Sequence, residues 1–398
     1  TFNVHHAPPE PGRKGYGLLN FGQSKDHRPD LLQFKQGLGT LDPAGVPIFT
    51  GTLPGEAADD PLYLPAWREM SKTIGHCHFL FVADCKAAAL ATRAEIAHAG
   101  GRYLFPLPMT GKVPEQLRGW VLKPPVTPAP LTLVDSSDPA GERRIVGQGF
   151  AVEQTMTDIL EDGKTVHTWT EQWLITRSDA HAQREQKGIL DRLQKAEKEL
   201  GQLQAKGDES AAEFLARANA ILQRRRVVDL LTCQVQESVV QEKHYIGRGR
   251  PGPNRACQVI DVRQVKLTCC RHEAALQEAL HLAGWRIYVT DVLAKAMTLN
   301  QAITYYRGEW QVERGHHRFK KGSLPALPLW VRIPERITGL MLLLTIALQA
   351  LTLLEFVAQR ALATRQETLA GLVPGNPKMK TARPSAERLL AQFTDLHL

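Results

Sequence analysis

The order of apolar and polar residues divides the chain into segments of different character. In residues 1–110, short apolar or β-branched runs alternate with stretches of helical periodicity. The short runs at 1–5, 15–20, 46–52 and 78–83 predict strands, and the periodic stretches at 61–74 and 87–98 predict helices. Residues 111–145 are rich in proline, as in KPPVTPAPL, which predicts a linker or an extended edge segment.

A β-rich pattern with a helical interruption follows. Residues 144–177 and 227–270 alternate apolar and polar positions, as strands do. Between them, at about 182–226, leucine and alanine recur at spacings of three and four, and the turn QAKGDES breaks the period. Fewer than three uninterrupted heptads are present, so the pattern predicts two antiparallel helices packed on each other and not a long dimeric coiled coil.

The last part returns to the first pattern. GWRIYVTD predicts a strand, residues 305–321 predict a helix, and an apolar helix follows Pro334. The chain is therefore predicted to be an α/β protein with its core in two parts, residues 1–110 and 284–365. Residues 111–283 form an inserted β-rich subdomain with the helical hairpin, and residues 366–398 form a basic, turn-rich tail.

The apolar stretch 337–357 is long enough to consider as a membrane span, which needs about 20 apolar residues. Thr338, Gln349 and Glu355 are among the polar residues that interrupt it. A helix buried at the centre of a large domain, with no membrane, is the favoured interpretation. A membrane-anchored protein, which would partition into detergent, is the alternative.

Composition narrows the class of protein. A chain of 398 residues with 43% hydrophobic and 23% charged residues is globular and long enough for two or three domains. Its net charge of +8 is consistent with a polyanionic partner. Six cysteines without a CxxC pair predict free thiols in a reducing compartment, and the first residues lack an apolar secretory segment, so we expect a cytoplasmic protein.

Two carboxylates stand where a nucleic-acid enzyme would place them. Asp84 ends the apolar run HFLFVADC, which predicts a carboxylate at a strand tip, although a helix N-cap explains it equally. Glu313 follows Tyr306 by seven residues and precedes Lys320 by seven, so on one helix the three would share a face. A solvated helix face with weak ion pairs is the alternative.

This spacing resembles the signature of the DDE transposases of bacterial insertion sequences, with Tyr, Arg, Glu and Lys at relative positions zero, three, seven and fourteen. Here Glu309 occupies the arginine position, and the nearby Arg307 and Arg314 are possible replacements. Further stretches are similar to the same family in the same order: FGQSKDHRPDLLQFKQGL, VADCKAAA, YIGRGRPGP and GLVPGNPKMKTARP.

The resemblance implies a ribonuclease-H-like core, a mixed sheet flanked by helices, with Mg²⁺ or Mn²⁺ held by two Asp and one Glu. Asp84 matches the second Asp and Glu313 the Glu. The first Asp, which the family places immediately before the segment that opens this chain, has no counterpart. We therefore expect a catalytically incomplete fragment or disrupted copy.

The resemblance also implies the partners. Double-stranded DNA, as element ends and target, would be cut and joined by a homodimer in a synaptic complex. The cationic and aromatic residues expected to contact DNA are Tyr306, Arg307, Arg318, Lys320 and Lys321. An inactive DNA-binding remnant and a structure-specific nuclease remain alternatives.

Three further residue groups have both a functional and a structural interpretation. Asp26 and Asp30 lie nearest the missing ligand, but Arg28 between them makes a local ion pair the favoured role. Trp310 could stack on a displaced base, although an aromatic at helical spacing is more often core. The run GRGRPGP at 247–253 suits phosphate contact or a linker.

Overall fold

The computed structural model describes residues 1–6, 15–23, 26–134, 143–206, 209–245 and 257–394. The strands in these residues are β1 Phe2–Val4, β2 Gly15–Tyr16, β3 Leu19–Phe21, β4 Leu32–Leu41, β5 Val46–Pro54, β6 Leu80–Val82, β7 Arg102–Pro106, β8 Ala129–Val134, β9 Arg143–Ile159, β10 Val166–Ser178, β11 Leu231–Tyr245, β12 Cys257–Arg271 and β13 Trp285–Thr290. The α-helices are α1 Tyr63–Ile74, α2 Leu90–His98, α3 Val113–Leu122, α4 Asp179–Gly201, α5 Ala211–Arg225, α6 Glu273–Leu282, α7 Leu299–Arg307, α8 Trp310–Lys320, α9 Pro334–Arg365 and α10 Ala386–Leu390.

The chain is a mixed α/β protein, as predicted, and it divides into two compact units. The first unit contains residues 1–109, 151–174 and 288–398, and the second contains residues 110–150 and 175–287. The segment 151–174 thus packs with the first unit, whereas the alternating pattern alone assigned it to the insertion. The GRGRPGP run lies outside the described residues.

A five-stranded antiparallel sheet forms one part of the first unit. Strand β4 is its centre, because it pairs with β1, β3 and β5. The sequence prediction missed β4, whose polar residues Gln33 and Gln36 are buried. The sheet packs through Phe2 and Phe34 against Phe319 of α8 and Ile337 of α9.

Helix α9 runs along this sheet and is only partly the buried helix that was predicted. Its Thr345 hydroxyl lies 3.1 Å from that of Thr50, and Gln349 donates to the Pro47 carbonyl at 2.7 Å. The helix is long and apolar enough to cross a membrane, but only 22% of its most apolar 18-residue stretch is buried. The prediction of a helix buried at the centre of a domain is therefore wrong for one face.

A mixed sheet of six strands has the order β6-β7-β13-β10-β9-β8. Strands β6 and β7 are parallel, with Val82 opposite Leu104, and β13 is antiparallel to β7. The carboxyl ends of β6 and β7 therefore meet at one edge. The two parts of the predicted core, residues 1–110 and 284–365, are thus joined in this sheet by the pairing of β7 with β13, whereas β1 belongs to the other sheet.

A buried carboxylate anchors the first unit. Glu171 is fully buried, and Arg93 donates to both of its oxygens at 2.5 Å. Tyr103 donates to it at 2.5 Å and Trp173 at 2.9 Å. A buried charge is tolerated when it is paired and hydrogen-bonded in this way.

The second unit holds the helical hairpin. Helices α4 and α5 lie where the hairpin was predicted, and they share a core in which Leu193 and Leu222 pack with Leu231 of β11. Residues 113–122, predicted as linker, form α3 instead, with Pro114 in its first turn, where a missing N–H costs nothing. Strand β8 is an edge strand, as the proline-rich pattern indicated.

The thiols of the described residues are free, as predicted. Cys77, Cys85, Cys233, Cys269 and Cys270 form no disulfide. Cys233 and Cys269 face each other across β11 and β12, with their sulfurs 2.9 Å apart.

Candidate active site

Asp84 lies just beyond the carboxyl end of β6. Its backbone is extended, and its Oδ1 accepts the Lys86 amide N–H at 3.0 Å, so Asp84 caps the short 3₁₀ helix Cys85–Ala88. The Tyr63 hydroxyl donates to the same oxygen at 2.7 Å. The capping interpretation is therefore confirmed, and Oδ2 has no hydrogen-bond partner among the described residues. Ligands of open α/β sheets bind at this edge of the strands.

A compact ion cluster lies next to Asp84 on the same side. Asp59 accepts Lys35 Nζ at 2.6 Å and Lys86 Nζ at 2.9 Å. Burial opposes ionisation of Asp59, but the two ammonium groups outweigh it and the pKa of Asp59 is lowered. The pKa of Lys86 is raised, chiefly by the hydrogen bond to Asp59. Both groups therefore stay charged near neutral pH.

Two phenols complete these surroundings. The pKa of Tyr63 is raised by burial and then by its hydrogen bond to Asp84. The pKa of Tyr306 is raised by burial first, then by Glu309, and the charge of Asp84 contributes. Tyr306 is half-buried and packs edge-on against Tyr288, with ring centroids 4.7 Å apart. Tyr306 is thus a neutral hydrogen-bonding group on the Asp84 side of the unit.

The predicted single helix at 305–321 is wrong, because two helices replace it. Helix α7 ends at Arg307, the amides of Gly308 and Glu309 bond three residues back, and α8 begins at Trp310. Tyr306 therefore belongs to a different helix from Glu313 and Lys320. Those two, seven residues apart on α8, share a face.

Glu313 is exposed in the first turn of α8, where the helix dipole favours an acid. Its carboxylate has no hydrogen bond or ion pair among the described residues. No such contact joins it to Asp84, and no group of three or more His, Cys, Asp or Glu in the described residues could hold a metal. Asp84 and Glu313 therefore do not by themselves assemble a metal site.

The predicted DNA-contacting residues have different environments. Arg307 and Lys321 are exposed, and Lys320 is half-buried with Nζ 5.6 Å from the Phe2 ring centre. Arg318 is buried, 5% exposed, and its guanidinium donates to Glu387 and Glu355, each at 2.8 Å. The Arg318 charge is thus neutralised inside the protein.

Arg314, considered as a replacement for the missing family arginine, also pairs with Glu355. The local ion pair expected near the chain start is confirmed, since Arg28 and Asp30 are 2.6 Å apart. Asp26 accepts a hydrogen bond from Asn3 at 3.0 Å.

A cavity of about 390 Å³ lies beside α8. Trp310 is 55% exposed and lines it, so the prediction that Trp310 is core is wrong. Arg360 and Arg383 also line it, and neither forms an ion pair in the part of the chain that is described. The cavity is therefore cationic as well as aromatic.

Sequence reasoning did not identify the Glu171 cluster, although a signal was present. In the strand TWTEQW, Trp169, Glu171 and Trp173 are two residues apart and so share one face. Two indoles on either side of an acid on a buried face indicate a satisfied carboxylate. The site is enclosed by packing and gives no access to a substrate.

Comparison with known proteins identifies no family for this chain. No protein-family model matches it, and no curated protein matches it significantly.

Proposed function

We propose that this chain is the catalytic core of an insertion-sequence transposase of the DDE type, acting on double-stranded DNA by divalent-metal-dependent phosphoryl transfer. The main support for this proposal is that two carboxylates in the first unit have oxygen atoms without a hydrogen-bond partner among the described residues. Asp84 lies at a strand end with Oδ2 unbonded, and Glu313 is exposed on α8. Structural carboxylates in this protein, such as Glu171 and Glu355, are paired with arginine.

The charges around the start of β1 support the same proposal. Phe2 of β1 is paired with Phe34 of β4, so the start of β1 lies beside Lys35, whose Nζ is 2.6 Å from Asp59. Thr1 is thus close to the cluster that includes Lys86 and borders Asp84. A carboxylate immediately before Thr1, where the family pattern expects one, would come near this cluster.

The proposed phosphoryl transfer would use Mg²⁺ or Mn²⁺. Mg²⁺ commonly takes one or two protein carboxylates and completes its shell with water and substrate phosphate. Asp84 and Glu313 are the residues that would supply carboxylates, and their chemistry suits Mg²⁺ or Mn²⁺. The ion would stabilise the charge on the leaving oxygen of the cleaved strand. Arg307, Lys320 and Lys321 would neutralise phosphates near the cut.

The test measures metal binding first and DNA chemistry second. Mn²⁺ is titrated calorimetrically into a version of the protein that carries Asp before Thr1, and into its Asp84→Asn, Glu313→Gln and Glu367→Gln variants, the last being a control that alters an exposed glutamate. We expect both site variants to weaken Mn²⁺ binding at least about tenfold, as removal of a ligand does, and the control to leave it unchanged. Equal affinities in all four proteins would overturn the proposal.

The DNA assay uses the sequences that flank the coding region, with Mg²⁺ or Mn²⁺. It compares the chain with a version that carries Asp before Thr1. Cleavage and strand-transfer products from the extended protein are expected. Cleavage without joining would favour a nuclease, and DNA binding without cleavage would favour an inactive remnant.

A further inference from the structure

Helix α9 exposes a continuous apolar surface on the side opposite its buried face. Ile337, Met341 and Leu348 pack into the core. The large apolar side chains of the opposite face, which we call the outer stripe, are between 39% and 66% exposed: Leu342, Leu343, Ile346, Leu353, Leu354 and Val357. Monomers rarely expose a contiguous apolar patch of this kind unless it is an interaction site.

The spacing within this surface is that of a helix that pairs with another helix. Starting at Leu343, exposed apolar residues follow after three, four, three and four positions, at Ile346, Ala350, Leu353 and Val357. This is the a and d repeat of a helix–helix seam, continued over two heptads. Ala350 is at its middle, where a small side chain lets two helix axes approach.

The charges of α9 argue against a lipid surface as the occupant. Helices that lie on membranes carry Lys and Arg on their polar face. Between Arg336 and Arg360, α9 has no basic residue, and its one acid, Glu355, is buried with Arg318. If α9 spanned a membrane, the open sheet that contains β5 would have to enter the bilayer with it, because Gln349 donates a hydrogen bond to the Pro47 carbonyl of β5, and open sheets are not stable in lipid. A protein helix is the better fit.

The exposed area fits a second copy of the same helix. The exposed parts of the outer stripe sum to roughly 600 Å² per chain, so a symmetric pair would bury at most about 1,200 Å², the lower end of the range for a specific interface. A symmetric partner needs no additional component, because one self-complementary surface serves both copies.

The ends of the helix select the direction of such a pair. The first turn carries Glu335 beside Arg336, whereas the last turns carry Arg360 and Arg365. A parallel pair would place the basic ends together. An antiparallel pair centred on Ala350 separates them, brings Glu335 of each copy towards the basic end of the other, and aligns the helix dipoles favourably.

We propose that the outer stripe of α9 binds the α9 of a second copy of this chain in an antiparallel pair that crosses near Ala350. This interface does not depend on the proposed DNA chemistry. It gives the protein a two-fold axis in the absence of DNA.

Light scattering after gel filtration tests the interface, with matched substitutions. Leu343→Glu and Val357→Glu change residues that are 66% and 62% exposed, and the controls Ile145→Glu and Val166→Glu change residues that are 67% and 63% exposed. We expect a dimer for the wild type and both controls. Each α9 variant should raise the dimer Kd at least about a hundredfold, because it buries two charges in a symmetric interface. Circular dichroism spectra identify any variant that has unfolded.

Cysteine cross-linking tests the direction, with the wild type as the background for native thiols. In an antiparallel pair, Ala350→Cys forms a disulfide-linked dimer, Leu343→Cys alone does not, and a mixture of Leu343→Cys with Val357→Cys does. Cross-linking of Leu343→Cys alone would overturn the antiparallel arrangement. A monomeric wild type at high concentration, a dimer that survives both charge variants, or a monomer that binds liposomes through α9 would each overturn the interface.

Discussion

The hydroxyl of Tyr63 donates a hydrogen bond to Oδ1 of Asp84 across 2.7 Å. Because the Lys86 amide bonds the same oxygen, Asp84 is held by α1 on one side and by its own 3₁₀ helix on the other. The carboxylate is thereby oriented with Oδ2 left for another ligand. A hydrogen-bonded carboxylate of this kind is typical of a metal ligand and of a helix cap alike.

Removal of this bond distinguishes the two roles. If Asp84 is a metal ligand, Tyr63→Phe should weaken Mn²⁺ binding about tenfold, since groups that orient metal ligands contribute at this level. Calorimetric titration of Mn²⁺ measures the change. Tyr305→Phe, at a phenol on the exposed side of α7, is the control and should bind as the wild type does. Unchanged affinity in folded Tyr63→Phe would leave Asp84 with the capping role alone.

Lys321 and Arg318 were both expected to contact DNA, but their substitution by alanine should affect different properties: DNA binding for Lys321 and stability for Arg318. Lys321 is exposed at the end of α8, so Lys321→Ala should lower the salt slope of DNA binding by about 0.9 and leave stability unchanged. Fluorescence anisotropy of labelled DNA across a range of salt concentrations measures that slope. An unaltered slope would remove Lys321 from the DNA surface.

Arg318→Ala should act on folding instead. It leaves the carboxylates of Glu355 and Glu387 without their shared partner, at a cost of about 3 kcal/mol in the free energy of unfolding. Urea unfolding measures this cost. If Arg318→Ala were as stable as the wild type but bound DNA more weakly, Arg318 would be a DNA contact and not a structural partner of Glu355 and Glu387.

Local periodicity could predict α1, α4 and α5, because each has an apolar face of its own. The prediction of α2 was also correct, although that helix buries Thr92 and Arg93 beside Ala94 and Ile96. It could not predict that Arg318 is buried. That outcome depends on Glu387, which is 69 residues further along the chain and reaches α8 only because α10 folds back. The break between α7 and α8 also escaped the prediction, because Gly308 and Glu309 keep helical dihedral angles while their amides bond the carbonyl three residues back instead of four.

Strand β4 shows a second limit. Its residues Gln33 and Gln36 are buried although they are polar, and it is flanked by partners on both sides. A pattern that equates burial with apolar character misses such a strand. The candidate site was predictable only in part, since the sequence indicates Asp84 and Glu313 but contains no local signal for Tyr63, Asp59 or Lys35 beside them.

The buried pair of Arg93 and Glu171 predicts a large effect on stability. Arg93→Ala leaves a fully buried carboxylate without its countercharge and should lower the free energy of unfolding by about 3–5 kcal/mol. Urea unfolding at neutral pH measures the loss. Arg28→Ala breaks an exposed pair with Asp30 and should cost less than about 1 kcal/mol.

A double variant separates a lost attraction from an orphaned charge. Arg93→Met with Glu171→Leu removes both charges, so it should be more stable than Arg93→Ala alone. If the double variant is the less stable of the two, the cost arises from packing or from the buried donors Tyr103 and Trp173, which lose Glu171 as acceptor, and not from the unpaired carboxylate.

Glu387 should make the stability of the protein depend on pH in acid solution. Burial opposes its ionisation, but the hydrogen bond from Arg318 outweighs burial and lowers the pKa of Glu387 to about 2 from an ordinary value of 4.5. A lowered carboxylate pKa stabilises the folded state above the unfolded value, and the contribution is lost as pH falls from about 4.5 to about 2. Allowing for its 36% exposed side chain, we expect about 1–2 kcal/mol at neutral pH.

The comparison of Glu387→Gln with the wild type measures that contribution. The difference in free energy of unfolding should be constant near neutral pH, should shrink as the pH falls below about 4.5, and should vanish near pH 2. Glu367→Gln, at an exposed glutamate whose side chain has no ion pair or hydrogen bond among the described residues, should show no such trend. A difference that grows in acid would mean that the Arg318–Glu387 pair destabilises the folded protein, and that α10 is held by its Ala386 contacts instead.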